Sequence, residues 1–410
     1  MILLENTKKL HSLLQSVRNN AHTNFYSSKY DVLPANFSGA LTDIPLLTRE
    51  ELVTVHPADR CHVLEAEVDF VAYTSGTTSG KPLLTYLAEV ENYHIDPTWG
   101  IDVHKALIVF PPLNKNFGGT FIQQCRQSPN PLVPVFADIT NMATSAYLGA
   151  MTKCDALYAT PSLALALAPY IAKQYDAGAI KLLVISGETI GTSKLATLQA
   201  LYPKAHIANV YASSEIGQFI MGPTPAMIED GVSGFRLLSE AVVAAELIEG
   251  ELVVTYELND AFPLVRYKTG DHFSVSEELT EKYGEGAPIL QWGGKGGVDV
   301  VRMHGLEIRT GSVDDFFTSI PQDVEEYQLH IFQGNKEESV RCTLECVMRF
   351  ESDPALDLIK EAFVCTFNIS ATKNVRDAMD AGIIESVEVV YVEALSHTAN
   401  KRRVLVNHIT

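Results

Sequence analysis

The sequence predicts an α/β protein in two parts. A large N-terminal domain, residues 1–298, consists of mixed and parallel sheets covered by helices, and a small, mobile α+β C-terminal domain spans 299–410. Three observations carry this reading. From Val68 to Val210, short apolar runs bounded by turn residues alternate with stretches rich in Ala and Leu, the pattern of strands and covering helices in a largely parallel sheet. Glycines then concentrate in Gly293-Gly-Lys-Gly-Gly297, where backbone rotation is cheap and a hinge is expected. Beyond that run the pattern changes to a compact α+β mixture of single-domain size.

The elements follow in order. Leu3, Leu4, Leu10, Leu13, Leu14 and Val17 are spaced for one face of an N-terminal helix. Thr48, followed by Glu50, Glu51 and Leu52, marks another helix start. Val68–Tyr73 reads as a strand running into a loop of small residues. Ala106–Phe110, Pro131–Ala137, Ala156–Ala159 and Lys181–Ser186 read as further buried strands, with a helix over Ser162–Gln174. His206–Tyr211 and Gly250–Tyr256 are apolar runs of the same kind, and Phe262–Asp271 reads as a strand ending in a turn at Gly270-Asp271. In the C-terminal part, Tyr327–Phe332, Cys342–Met348 and Val387–Val392 are strand-like, and Pro354–Phe363 and Val375–Ala381 are helix-like.

Composition narrows the function classes. The chain has 410 residues, 46% of them hydrophobic and 20% charged, which suits a soluble enzyme with a large core. A formal charge of −19 argues against nucleic acid or an anionic membrane as partner, because phosphate-backbone binding needs a basic face. The uncharged run Ala156–Ala172 contains Pro161 and Pro169 and reads as buried protein rather than a membrane span. Met1–Asn20 lacks a signal-peptide pattern, and the six scattered cysteines include no Cys-x-x-Cys pair, so a cytoplasmic location with reduced thiols is expected. Cys342 and Cys346 lie four apart in a strand-like run, as packing residues do. There are no internal repeats.

The chemistry gathers at strand-to-loop junctions. Tyr73-Thr-Ser-Gly-Thr-Thr-Ser-Gly-Lys-Pro82 leaves a strand end with Gly76 and Gly80 to expose backbone N–H groups. Thr74, Ser75, Thr77, Thr78 and Ser79 add hydroxyl donors, and Lys81 a positive charge. This is a phosphate cradle, but not the P-loop of nucleotide hydrolases, since three residues rather than four separate the glycines and Pro82 follows the lysine. At Ile185-Ser-Gly-Glu-Thr189, Gly187 lets a ligand approach the backbone and Glu188 offers an acceptor. At Asn209-Val-Tyr-Ala-Ser-Ser-Glu215, an apolar strand meets an aromatic, two hydroxyls and a carboxylate; Tyr211 is placed to stack on a heterocycle and Glu215 to hold a magnesium ion. Taken singly, Tyr211 is as well read as a core aromatic, Glu215 as a helix-start carboxylate and Asp271 as a turn residue. Ligands of open α/β sheets collect at the carboxyl ends of strands, so these junctions are expected in one cleft.

In this order and spacing the junctions resemble the adenylate-forming superfamily of acyl-CoA synthetases, adenylation domains and luciferases. Tyr73–Pro82 is similar to its phosphate loop, Ser186-Gly-Glu-Thr189 to its adenine-side segment, and Asn209–Glu215 to its aromatic-x-x-Thr-Glu motif with Ser214 in place of the threonine. Tyr267-Lys-Thr-Gly-Asp271 is similar to its ribose-binding Tyr-Arg-Thr-Gly-Asp. Thr398-Ala-Asn-Lys-Arg-Arg403 resembles the C-terminal motif with the adenylation lysine, which points to Lys401. The short N-terminal section, Lys81-Pro82, Phe25-Tyr26 and Ile44–Leu52 resemble the phenylacetate-CoA ligase branch. Two departures stand out: Gly294-Lys-Gly-Gly-Val-Asp299 lacks the arginine of the family's Gly-Arg-x-Asp hinge, which places the hinge at Val298 or Asp299, and Asn400 replaces the glycine before the lysine.

The resemblance implies ATP, Mg²⁺ and coenzyme A as cosubstrates and cofactors. It implies catalytic roles for Lys401, Glu215 and Thr77, with nucleotide contacts from residues 74–81, Gly187, Glu188, Tyr211, Ser214 and Asp271. It also places the acid among Phe117, Gly118, Gly187, Ala208, Tyr211 and Ala212, an apolar setting that favours an aryl or medium apolar acid. Two other functions stay open at this point. One is a stand-alone adenylation enzyme that passes its acyl group to a carrier-protein thiol or an amine; the other is a nucleotide-binding scaffold without turnover. The acid and the oligomeric state are not readable.

Overall fold

A computed structural model gives the fold. It describes residues 1–73, 83–88, 96–110, 121–122, 125, 128, 130–137, 141–174, 176–188, 190, 192–213, 215–216, 218–238, 242–257, 260–295, 300–303, 306–322, 324–336, 339–348, 351–369, 374–395 and 404–408. The chain divides into two compact units. Met1–Gly187 with Gln199–Gly293 forms the first, and Glu188–Leu198 with Gly294–Thr410 the second.

The centre of the first unit is a five-stranded parallel sheet in the order Val133–Phe136, Lys105–Val109, Ala156–Ala159, Leu182–Ile185, His206–Asn209. Ala156–Ala159 and Leu182–Ile185 are buried at every residue, as strands covered on both faces must be. Helices Met142–Thr152 and Pro161–Gln174 supply cover, the second burying Ala164, Leu167, Ala168 and Ile171 on one side. Val109, Ala159, Ile185 and Asn209 are paired neighbours along the last four strands. The residues that follow them, Phe110, Thr160, Ser186 and Val210, therefore share the carboxyl edge.

A second five-stranded sheet runs Ile2–Glu5, Ala244–Ile248, Glu251–Tyr256, Leu264–Val275, Leu290–Lys295. It corrects two readings of the sequence. Leu3 and Leu4 belong to a strand paired antiparallel with Ala244–Ile248 rather than to the first helix, because the Asn6 side chain accepts from the Lys9 N–H and starts the helix at Thr7. Gly270-Asp271 does not end its strand, which continues to Val275. Glu251 faces His272 while Val253 faces Lys268, so extra residues around Thr269–Asp271 are accommodated as a bulge, with Gly270 at φ +76°. In the glycine run expected as a hinge, Gly293, Gly294 and Lys295 are strand, and the two units divide between Gly293 and Gly294. A Cβ on Gly293 would lie 3.0 Å from the His272 carbonyl oxygen, so this glycine permits close strand packing. Val298 and Asp299 lie outside the described residues.

The N-terminal section is stitched into this sheet. Arg266, with φ +52°, makes a buried ion pair with Glu246 at 2.6 Å and donates to the carbonyls of Thr42 and Ile44. Leu47 then bridges Tyr267: its N–H donates to the Arg266 carbonyl at 3.0 Å, and its carbonyl accepts from the Lys268 N–H at 2.9 Å. The expected helix start at Thr48 is a capping box in which Thr48 and Glu51 serve each other's backbone N–H groups.

The second unit carries a four-stranded sheet in the order Ile384–Tyr391, Val340–Met348, Val324–Gln333, Leu405–Asn407, its middle pair antiparallel and its outer pairs parallel. Helices Asp353–Thr366 and Val375–Asp380 bury Ile359, Phe363, Val364, Val375 and Ala378 in the same core. Cys342 and Cys346 point inward on one strand face as expected, and burial pushes both thiols up to about 12. Among the described residues no helix is long and apolar enough to cross a membrane.

Candidate active site

The Thr269–Asp271 bulge explains how Asp271 comes to face inward from a strand. Thr269 Oγ1 donates to the Leu252 carbonyl and accepts from the Asp271 N–H at 3.1 Å, while the Gly270 N–H donates to Glu251 Oε1 at 3.0 Å. The bulge is thus held at three points, and the Asp271 carboxylate lies 5% exposed. Its Oδ2 accepts the Tyr211 hydroxyl at 2.5 Å. Burial first, and the Asp271 charge second, push the Tyr211 phenol well above its ordinary range, so at neutral pH it is a proton donor to that carboxylate.

Tyr211 begins the segment that leaves the parallel sheet beside Val210. Its ring is packed edge-on against Phe273, with centroids 5.2 Å apart, and tilted against Trp292 at 5.8 Å. The two sequence motifs, Asn209–Glu215 and Tyr267–Asp271, therefore meet at the Tyr211–Asp271 hydrogen bond, with the Tyr211 ring packed on Phe273 just beyond it.

Glu215 is held by a residue that the sequence reading did not single out. Arg49, the first residue of the helix capped by Thr48, donates from Nη1 to Glu215 Oε1 and also hydrogen-bonds the Tyr267 side chain. Both side chains of the ion pair are largely buried, 19% and 12% exposed. Tyr267 is itself fully covered, and burial, followed by the Glu215 charge, raises its pKa well above the ordinary phenol value. The signal for Arg49 was present in the Thr48 helix start, but only the Leu47–Tyr267 bridge shows where that start is delivered.

Gly187, at φ +84°, occupies the carboxyl edge as expected, and a Cβ there would only touch Thr160 Cγ2 at 3.8 Å. The backbone conformation, rather than lack of space, selects glycine here. Glu188 groups with the second unit. Ala208 lies in the core cluster of the parallel sheet, and Phe110 and Ala212 pack against it. Residues 74–82, Phe117, Gly118, Ser214 and Lys401 lie outside the described residues.

This donor set suits a nucleotide and a hard cation. A buried carboxylate on a rigid bulge is an acceptor for a diol, and Glu215 offers carboxylate oxygen beside a guanidinium. Among the described residues no group of three or more His, Cys, Asp or Glu forms a metal cage.

No family model and no curated protein matches the chain. Solved structures do. A 2-hydroxyisobutyryl-CoA ligase in its postadenylation state, with an acyl-AMP, is 16% identical and covers 99% of this chain and 91% of its own, with a TM-score of 0.70. The O-succinylbenzoate coenzyme A synthetase of Bacillus subtilis, with ATP and a magnesium ion, is 16% identical over 82% of this chain and 68% of its own, with a TM-score of 0.56. An amide bond synthetase of Marinactinospora thermotolerans is 16% identical over 82% of this chain and 66% of its own, with a TM-score of 0.54. The chain has the fold of the adenylate-forming enzymes. In the first unit Tyr211 meets Asp271, and Arg49 pairs with Glu215.

Proposed function

We propose that this protein activates a carboxylic acid with ATP to an acyl-adenylate, releasing pyrophosphate, and then transfers the acyl group to the thiol of coenzyme A. The observation that carries this reading is the Tyr211–Asp271 hydrogen bond, which unites two distant motifs into one buried acceptor on an adenylate-forming fold. In this reading Asp271 takes the ribose hydroxyls and Gly187 lets the nucleotide approach the backbone. Loop 74–81, with Thr77 among its hydroxyls, meets the β- and γ-phosphates. Bound magnesium, held on Glu215, would neutralise charge on the phosphate oxygens. Lys401, assigned by resemblance, adds charge stabilisation as the acid carboxylate attacks the α-phosphate. Positioning and electrostatics suffice, and no nucleophilic side chain is needed.

Coenzyme A as the acceptor is supported by the CoA ligases among the similar structures, one of them solved with both an acyl-AMP and CoA. The amide bond synthetase keeps an amine acceptor as the second reading. The phenylacetate-CoA ligase branch rests on Ile44–Leu52 and the Lys81-Pro82 loop end. A pyrophosphate-release screen over carboxylic acids, run with CoA, with a carrier protein and with an amine, tests the proposal. It predicts thioester with free CoA. Acylation of the carrier or amine alone would favour the second reading, and no release with any acid would leave a scaffold without turnover.

A further inference from the structure

The strands on either side of residues 74–83 form a hairpin that belongs to neither five-stranded sheet. Among the described residues Val68–Tyr73 and Leu84–Ala88 pair only with each other, antiparallel, and Tyr73 opposite Leu84 closes the pairing beside the loop. A two-stranded hairpin is marginal in water, so its position is set by what packs on it. Ala72, Thr85 and Leu87 are buried, while Val71, Tyr73 and Leu84 on the other face are exposed.

Arg60 reaches the base of that loop. It ends the short 3-10 helix Pro57–Arg60 and is 1% exposed, and its Nη2 donates to the Leu84 carbonyl, three residues past Lys81. The guanidinium carbon lies 4.8 Å from the centre of the Phe262 ring, and the Nε–H is covered with no partner among the described residues. The charge is felt by Tyr26, Tyr86, Cys61 and Tyr267, but no carboxylate pairs with it among the described residues. A buried cation without a counter-ion is destabilising, and an apolar side chain of similar length would fill the space without that cost. The segment around Arg60 is held on both sides. The His62 N–H donates to the Ala261 carbonyl at 3.0 Å, Asn20 Nδ2 to the His62 carbonyl at 2.7 Å, and Thr23 Oγ1 to the Asp59 carbonyl. Cys61 and Ala261 share a small core with Ala88, against which Val68 and Tyr86 of the hairpin pack. Ala261 and Phe262 lead into the strand Leu264–Val275, which carries Tyr267 and Asp271. Within the first unit, Arg60 therefore joins the base of the loop to the strand of the candidate ribose acceptor.

Resting on the proposed role of loop 74–81 in meeting the β- and γ-phosphates, we propose that Arg60 is a positioning residue for ATP. By bridging the Leu84 carbonyl and the Phe262 ring, it fixes the outgoing end of the loop relative to Asp271, so that one nucleotide reaches both. It touches no substrate and takes part in no covalent step. The charge is kept because a charged donor grips a carbonyl more firmly than a neutral one.

The test compares ATP with AMP, which share the ribose and differ in the β- and γ-phosphates. Both are titrated calorimetrically, with magnesium present, into the full chain and into Arg60→Gln and Arg60→Lys. The wild type is expected to bind ATP more tightly than AMP. In Arg60→Gln, ATP affinity is expected to fall about tenfold, the worth of one charge-assisted hydrogen bond, while AMP affinity stays within about twofold. Arg60→Lys, which keeps the charge, is expected to recover ATP affinity to within about threefold of the wild type. Equal losses for the two nucleotides in Arg60→Gln would make Arg60 a merely structural residue and overturn the proposal, as would an unchanged ATP affinity or an Arg60→Lys that binds ATP no better than Arg60→Gln. Should Arg60→Gln fail to fold, Phe262→Leu decides, because it removes the ring beneath the guanidinium and leaves Arg60 in place: a falling ATP-to-AMP affinity ratio supports the bridge, and an unchanged one overturns it. A wild type that binds ATP no more tightly than AMP would fault the phosphate-loop reading itself, and the proposal with it.

Discussion

The candidate site is built on buried carboxylates with named neighbours, Asp271 with Tyr211 and Glu215 with Arg49. Asp271 and Glu215 were legible in the sequence because both end motifs with recognisable spacing. Arg49 was not, because a Thr-Arg-Glu-Glu helix start looks alike wherever the chain takes it. Removing Arg49 while keeping Glu215 leaves a largely buried carboxylate without its cation, and Arg49→Met is expected to cost about 3 kcal/mol of unfolding free energy. Denaturant titration checks this, with Arg49→Lys losing less; a change under about 0.5 kcal/mol would mean that the pair is solvent-screened. At Asp271 the expectation is functional. Asp271→Asn keeps the shape but weakens acceptance from both Tyr211 and a diol, and ATP affinity measured calorimetrically should fall about tenfold, the worth of one charge-assisted hydrogen bond. Unchanged affinity would return Asp271 to a structural role.

At the scale of elements, apolar runs and caps are legible wherever the chain alternates simply between buried strand and helix. Ala156–Ala159 matches its expected bounds to the residue. Legibility fails where a tertiary contact outweighs a local preference. Gly270-Asp271 looks like a turn, but sheet pairing on both sides carries the strand through it as a bulge. Space is open around Gly270, where an added Cβ would meet nothing within 4 Å, so Gly270→Ala acts through the backbone alone. About 1–2 kcal/mol of lost stability is expected, together with weaker ATP binding as Asp271 shifts; thermal melts and calorimetry would show both, and a neutral effect would mean that the bulge relaxes freely. In the second unit, Glu385 clamps the turn that follows Val324–Gln333. It accepts from Ser339 Oγ and from the backbone N–H groups of Asn335 and Lys336, and these bonds pull its carboxyl down to about 2. Because the folded pKa lies below the ordinary 4.5, this clamp contributes fully above pH 4.5 and is lost as pH falls from there toward 2. Amide exchange at Asn335 and Lys336 should accelerate across that window in the wild type. Glu385→Gln should flatten the dependence, and a flat wild-type profile would contradict the clamp.

For the whole molecule, the sequence indicates a large α/β part followed by a smaller α+β part, because the change of texture after the glycine run is a property of composition. The assignment of Glu188–Leu198 to the second unit was not legible, since it depends on contacts between segments more than a hundred residues apart. The proposed acid activation would likewise draw on residues far apart in the sequence, Asp271 and Glu215 with the 74–81 loop and Lys401. Lys401→Ala is expected to abolish most adenylation while sparing thioester formation from supplied acyl-adenylate, and equal loss of both steps would show that the lysine is misassigned. The most direct measurement is isotope exchange between pyrophosphate and ATP with the intact protein, magnesium and a panel of aryl and medium-chain carboxylic acids. The account predicts exchange that depends on the presence of at least one acid and needs no thiol. Absence of exchange across the panel, in protein that is folded and binds ATP, would contradict it.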